Sequence, residues 1–211
     1  MEGHWSSFVT EDDFKEIAGN GLNFVRIPVG YWSIAPLEGD PYIQGAWAWL
    51  QRGCDWAQSA GLKVMIDLHA APGSQNGFDN SGEEGDVEWS EGNTAQQTFA
   101  AIRRLNEEFQ NHPAVAAIEL LNEPLGGEVD LGVLTQFYLD SWDLMRDEPL
   151  AIAFSDAFEG VEAWNDFGTS KDDLLLDVHH CKCSSLNSRT DMLVLMTDDF
   201  QTRCSTPSLS K

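Results

Sequence analysis

The sequence predicts an α/β fold, a (β/α) barrel, because short apolar segments alternate with helix-length ones and each apolar segment ends in polar residues. Strands separated by helix-length spacers form parallel sheets with right-handed crossovers. In such barrels the reactive groups lie at the carboxyl ends of the strands. A doubly wound open sheet is the alternative, but no Gly-rich phosphate loop follows any apolar segment.

The first two predicted strands follow helices with clear end signals. Thr10 is the expected N-cap of the first helix, which ends at residues 19–21, and residues 22–29 form a strand that carries Arg26 near its end. A second helix stops at Gly61, and the next strand runs from residue 63 to His69.

The second half repeats the pattern after a long Gly-rich loop, residues 70–92, which is typical of a functional loop. Apolar residues at helical spacing predict helices at 99–109 and 134–145. Three further strands are predicted, at residues 116–121, 150–154 and 174–180. Polar residues follow each of them, namely Asn122-Glu123, Asp156 and His179-His180.

Asn122-Glu123-Pro124 is the most informative motif, since it places a carboxylic acid and an amide at the end of a buried strand. A glutamate partly removed from water there can hold its proton near neutral pH, as a general acid must. A lone glutamate at this place is more often one partner of a salt bridge. The other strand-end residues favour the functional interpretation.

The composition excludes several classes of partner. Thirty-five acidic residues against 12 basic ones give a formal net charge of −23, so we expect no binding to nucleic acid or to anionic membranes, whereas neutral sugars are not repelled. No apolar run reaches the length of a transmembrane helix, and the first residues show no signal-peptide pattern.

The cysteines and histidines predict neither a disulfide framework nor a metal site. Cys54 fits a helix as a small apolar residue. A zinc site built from His179, His180, Cys181 and Cys183 is poorly spaced for tetrahedral ligation. We therefore predict no metal and no cofactor.

Several stretches resemble glycoside hydrolase family 5, and most closely its fungal exo-β-1,3-glucanase (glucan 1,3-β-glucosidase) subfamily. They are HWSSFVTEDDF, GLNFVRIPVGYW, GLKVMIDLHAAPGSQNGFDNSG and IELLNEPLG, followed in order by SDAF and LDVHH. The resemblance covers residues 4–180. It implies an incomplete (β/α)8 TIM barrel, with about five of the eight strands present, and hydrolysis of β-glycosidic bonds with retention.

The resemblance also implies roles for the strand-end residues. Glu123 would be the general acid/base, and Asn122 would bind the sugar 2-hydroxyl. Arg26 would orient the second carboxylate, while His69 and His179 would line the glucose subsite.

Each assignment has a structural alternative. Arg26 would then be an ion pair below the rim, His69 a satisfied core histidine and His179 the cap of a strand. Trp32 is a candidate sugar platform, although core packing explains a single tryptophan at least as well.

The sequence departs from the family pattern after His180. Retention needs a second glutamate, about 5–5.5 Å from the first, which the family carries in a Gly-Glu-Phe or Gly-Glu-Trp setting. Glu88-Trp89 resembles that setting but comes too early, so we interpret Glu88 as a solvated loop acid. We expect the first barrel strand and the last ones to be missing, and the 211-residue chain to have little hydrolytic activity.

We thus predict a partial barrel domain at residues 1–180 and a non-family tail at 181–211, irregular or frameshifted. A catalytically inactive β-glucan-binding protein, or a β-1,4- or β-1,6-glucanase of the same family, remains the alternative. We expect a β-glucan as the partner and a monomeric protein. The resemblance implies an extracellular or cell-wall location for the parent family.

Overall fold

A parallel sheet with helices on one face forms the framework of the protein. The computed structural model describes residues 1–167, 171 and 173–179. Its strands are β1 (Phe24–Gly30), β2 (Lys63–Ala70), β3 (Val115–Glu119), β4 (Ala151–Ser155) and β5 (Leu174–Asp177). Its helices are α1 (Glu2–Phe8), α2 (Glu11–Gly19), α3 (Tyr31–Ile34), α4 (Ala46–Ala60), α5 (Thr94–Phe109) and α6 (Leu131–Met145). The five predicted strands are confirmed to within two or three residues at each end, and the predicted tail at 181–211 lies outside the described residues.

The strand order decides between the two predicted architectures. The strands lie in chain order, β1-β2-β3-β4-β5, and each neighbouring pair is parallel. A doubly wound sheet reverses its strand order at a switch point, whereas a barrel continues in one direction. The sheet therefore is part of an α/β barrel, and five consecutive strands lie within the described residues.

The two faces of the sheet differ because successive side chains of a strand point to opposite sides. On the face covered by the helices, Ile66 and Ile118 belong to one large apolar core. On the other side, here called the inner face, Met65, Ala117 and Ala153 form a small separate apolar cluster. Side chains beyond that cluster, toward the carboxyl ends of the strands, are charged or polar.

The predicted end signals fix the helices. The carboxylate of Asp13 accepts a hydrogen bond of 2.7 Å from the backbone N–H of Thr10 at the start of α2. Gly61 adopts a left-handed conformation with φ of 77° and ends α4. The sequence did not predict α1, which buries no side chain and so has no apolar face to read.

The edge of the sheet at β1 borders an apolar groove of about 570 Å³, lined in part by Trp5, Phe8 and Trp49. Cys54 is fully buried in α4, as expected for a small apolar residue. Glu88 is exposed in the loop after β2, as predicted. In the described ranges no helix combines the length and the apolar character needed to cross a bilayer.

Candidate active site

The inner face carries two buried carboxylates that lie opposite each other on neighbouring strands. Asp67 of β2 pairs in register with Glu119 of β3, and neither side chain is exposed. Like charges in facing positions repel each other. The arrangement is stable only if a cation lies between them, and Arg26 of β1 supplies it.

Arg26 connects these carboxylates to the Asn122-Glu123 motif. Its Nε donates to Glu119 Oε2 at 2.6 Å, and its Nη2 lies 3.1 Å from Asp67 Oδ2. The same Nη2 donates to Asn122 Oδ1 at 2.7 Å. Arg26 therefore forms ion pairs with two buried acidic groups and also bonds directly to Asn122. The structural interpretation of Arg26 and its place in the site are compatible.

The bond from Arg26 fixes the amide of Asn122. A guanidinium group has only donors, so the oxygen of the Asn122 amide must face it. Nδ2 of Asn122 is buried and has no hydrogen-bond partner among the described residues. The backbone N–H of Asn122 donates to Leu68 O at 3.0 Å, which holds the residue at the end of β2. The site thus presents a rigidly placed amide donor.

Glu123 lies between a histidine and an asparagine. Its Oε1 lies 2.6 Å from Nδ1 of His179, and its Oε2 accepts a bond of 3.0 Å from Nδ2 of Asn80. The other ring nitrogen of His179 lies 3.2 Å from Oδ2 of Asp177. The Glu123 side chain is 15% exposed, whereas that of His179 is 4% exposed. Glu123 is therefore more accessible than His179.

These contacts correct one expectation about Glu123. The hydrogen bond from His179 lowers the pKa of Glu123 below its usual value, and the bond from Asn80 acts in the same direction. Bonds to Asp177 and Glu123 raise the pKa of His179 to about 10. Burial alone therefore does not keep a proton on Glu123, and the two pKa shifts favour the proton on the ring of His179.

Glu119 behaves in the opposite way. Burial, together with the charge of Asp67, raises the pKa of Glu119 to about 8, although Arg26 opposes the shift. Glu119, Asp177 and His179 have donor atoms within 4.8 Å of one another, close enough to share a metal ion. Arg26 already bonds to Glu119 and His179 already bonds to Asp177, so we assign no metal to this cluster. The other zinc candidates, His180, Cys181 and Cys183, lie outside the described residues.

The remaining predicted site residues are His69 and Trp32. Nδ1 of His69 lies 2.6 Å from Oδ2 of Asp67, and its side chain is 29% exposed, so the ring can also face a ligand. Trp32 stacks on Tyr42, with ring centroids 3.9 Å apart. A Cβ at Gly82 would lie 2.6 Å from the Trp32 ring, which shows how closely the loop packs against it. The role of Trp32 as a sugar platform stays a prediction.

Sequence reasoning missed several polar residues of the site. Asp67 and Asp177 each precede a predicted histidine by two positions, which places both members of each pair on the same face of a strand. Glu119 is the single acid within an apolar strand. The sequence alone could therefore have indicated Asp67, Asp177 and Glu119. Asn80 has no such signal, because a loop residue reaches the site only through the fold.

Curated relatives resemble the chain over most of its length. It is 43% identical to a protein of Aspergillus niger named probable glucan 1,3-beta-glucosidase A, over 97% of this chain and 49% of the relative. A glucan 1,3-beta-glucosidase of Blumeria graminis is 42% identical, with the same coverage of 97% and 49%. A probable glucan 1,3-beta-glucosidase A of Aspergillus fumigatus is 46% identical over 85% of this chain and 44% of the relative. The chain spans about half the length of these relatives.

Solved structures share the fold at low identity. A rutinosidase from Aspergillus niger superposes with a TM-score of 0.78 at 20% identity, over 89% of this chain and 58% of the other. An endo-glycoceramidase II from Rhodococcus gives 0.56 at 21% identity, over 80% and 51%. The model of the cellulase family, glycosyl hydrolase family 5, matches residues 1–166. The chain therefore belongs to glycosyl hydrolase family 5.

Proposed function

We propose that this chain provides the glucose-binding and acid/base half of a retaining exo-β-1,3-glucanase, which releases glucose from β-1,3-glucan. The single observation that carries the proposal is the pair Asn122-Glu123 at the end of β3, held by Arg26 on one side and His179 on the other. The names of the relatives support the β-1,3 linkage over the β-1,4 and β-1,6 alternatives.

In this proposal the proton for bond cleavage is held between His179 and Glu123. Their short contact of 2.6 Å carries one proton, and the pKa of His179, raised to about 10, favours its position on the ring. When a glycosidic oxygen approaches, the proton passes to Glu123 and from there to the leaving oxygen. In a complete family 5 enzyme the second glutamate attacks the anomeric carbon as the C–O bond breaks, which forms the glycosyl-enzyme. In the second half of a retaining reaction the Glu123 carboxylate takes a proton from water.

Two groups would recognise the sugar. Nδ2 of Asn122 is a buried donor that has no partner among the described residues, and a sugar hydroxyl would accept its bond. The partly exposed ring of His69, oriented by Asp67, would bond a second hydroxyl. Both groups are held by the buried ion pairs, so little entropy is lost when a ligand binds.

We further propose that the 211 residues bind β-glucan without completing hydrolysis. The sequence contains no glutamate after Glu162, so it offers no Gly-Glu-Phe or Gly-Glu-Trp element at the family's position for the nucleophile. A glucan-binding protein without turnover is thus the second candidate function for this chain. As the family resemblance implies, we propose a location at the cell wall, outside the cell. That the chain is a monomer stays a prediction.

Titration calorimetry with laminaritriose and a parallel assay of glucose release test the proposal. We expect saturable binding by the folded chain and little glucose release. If glucose is released, Glu123→Gln should abolish the release, whereas the exposed control Glu88→Gln should not. Absence of binding by a chain that melts cooperatively would contradict the proposed site, as would hydrolysis that survives Glu123→Gln.

A further inference from the structure

The loop between β2 and α5 is fastened to the backbone of the catalytic motif by one buried amide. Nε2 of Gln75 donates to the carbonyl oxygens of His69 and Asn122, each at 2.9 Å. Oε1 of Gln75 accepts from Ala71 N at 3.1 Å, and the side chain is fully buried. Leu125 N donates in return to Gln75 O at 2.9 Å. The loop and the motif are therefore a single rigid unit.

Two further amides extend from this loop to the carboxylate of Glu123. The backbone N–H of Phe78 donates to Oδ1 of Asn76 at 2.9 Å, which leaves Nδ2 of Asn76 as the donor to Oδ1 of Asn80 at 3.0 Å. Nδ2 of Asn80 must then face Glu123 Oε2, which it meets at 3.0 Å. The backbone N–H of Phe78 thus sets the orientation of both side-chain amides, that of Asn76 and that of Asn80.

The same loop supports an unusual backbone conformation at Glu123. Its φ of 47° lies in the left-handed region, which costs a residue with a side chain free energy of order 1 kcal/mol. Nδ2 of Asn76, which is almost fully buried, also donates to the carbonyl oxygen of Glu123 at 3.2 Å. The strain points the Glu123 side chain between Asn80 and His179 and is offset by these bonds.

We propose that Asn80 is a positioning residue for the reaction: it holds Oε2 of Glu123 so that Oε1 carries the proton exchanged with His179. The inference deepens the proposed function and rests on it, because it concerns the same carboxylate. With Oε2 occupied by a donor that has no proton to give up, protonation is directed to the oxygen on the His179 side.

The charges around Glu123 support this division of roles. His179, two residues after β5, and His69 on β2 both act on Glu123 through their charge and favour its ionised form. Asn80 acts in the same direction through its hydrogen bond alone. Removal of the Asn80 amide should therefore raise the pKa of Glu123, and an acid in its place should raise it further.

Carbon NMR of chain labelled at the glutamate δ-carbons measures this directly, with the Glu123 signal identified by its loss in Glu123→Gln. We expect the titration midpoint of Glu123 to move to higher pH in Asn80→Ala and further still in Asn80→Asp. Asn93→Asp adds the same charge at an exposed position before α5 and should leave the midpoint in place. The ring signals of His179 should follow Glu123, because the two groups share one proton.

An unchanged Glu123 midpoint in a folded Asn80→Asp chain would overturn the proposal. If that variant does not fold, Asn80→Ala decides in the same way, since it adds no charge. An equal shift in Asn93→Asp would also overturn it, because the effect would then come from net charge. The titration uses no sugar, so failure of glucan binding leaves its result intact, and glucan binding can persist when the titration fails.

Discussion

The two faces of the sheet are made by the same strands yet differ in what holds them together. On the helix-covered face, Ile66 and Ile118 pack in a continuous apolar core whose stability does not depend on protonation. On the inner face, the apolar cluster is small and gives way to buried carboxylates around Arg26. Apolar packing therefore holds the helix-covered face together, whereas the inner face depends on the balance of charge.

That balance explains why buried acids are tolerated on the inner face. Burying an ion without a partner costs several kcal/mol, whereas a hydrogen-bonded ion pair roughly offsets its own desolvation. Arg26 bridges Asp67, Glu119 and Asn122, and His179 bridges Asp177 and Glu123. Each cation therefore both stabilises the inner face and fixes one residue of the Asn122-Glu123 motif.

Loss of the central cation should give the largest effect. We expect Arg26→Met to lower the free energy of unfolding by about 3–5 kcal/mol at neutral pH, because it leaves the buried Asp67 without its cation and Glu119 without its hydrogen-bond donor. Arg103→Met, at an exposed position of α5, should change stability by less than about 0.5 kcal/mol in urea denaturation.

A loss below about 1 kcal/mol in Arg26→Met would mean that the inner face does not depend on charge balance. The inner face would then resemble the helix-covered face, and the two faces would not differ in what stabilises them.

Stability should also depend on pH through the inner face, with a smaller effect. The folded-state pKa of Glu119 is raised to about 8 and that of His179 to about 10, both above their usual values. Each group then contributes stability that is present at low pH and lost as the pH rises toward its folded-state value. The melting temperature should therefore fall between about pH 5 and about pH 9.

Glu119→Gln should flatten the part of this profile below about pH 8, because it removes one of the two groups. Ile118→Val changes only the apolar core and should lower the whole curve without altering its slope. A melting temperature that rises across the range would contradict the assigned protonation states.

The sequence was sufficient for the strands, the barrel order and the residues at the strand ends, since apolar runs and helix end signals are local. It could not show that His179 lowers the pKa of Glu123, because the two residues are 56 positions apart and meet only in the folded chain. Asn80 escaped notice for the same reason. Asp67 and Asp177 were within reach, given their spacing of two from His69 and His179.

The most direct test of the account compares laminaritriose binding by one variant from each face. Asn122→Ala removes the buried amide donor and should weaken binding by about tenfold or more, which corresponds to about 1.4 kcal/mol. Ile118→Val removes one methyl group from the helix-covered core, should lower stability by about 0.5–1.5 kcal/mol, and should leave the dissociation constant unchanged. Equal weakening in both variants, or full affinity in Asn122→Ala, would contradict the placement of sugar recognition on the inner face.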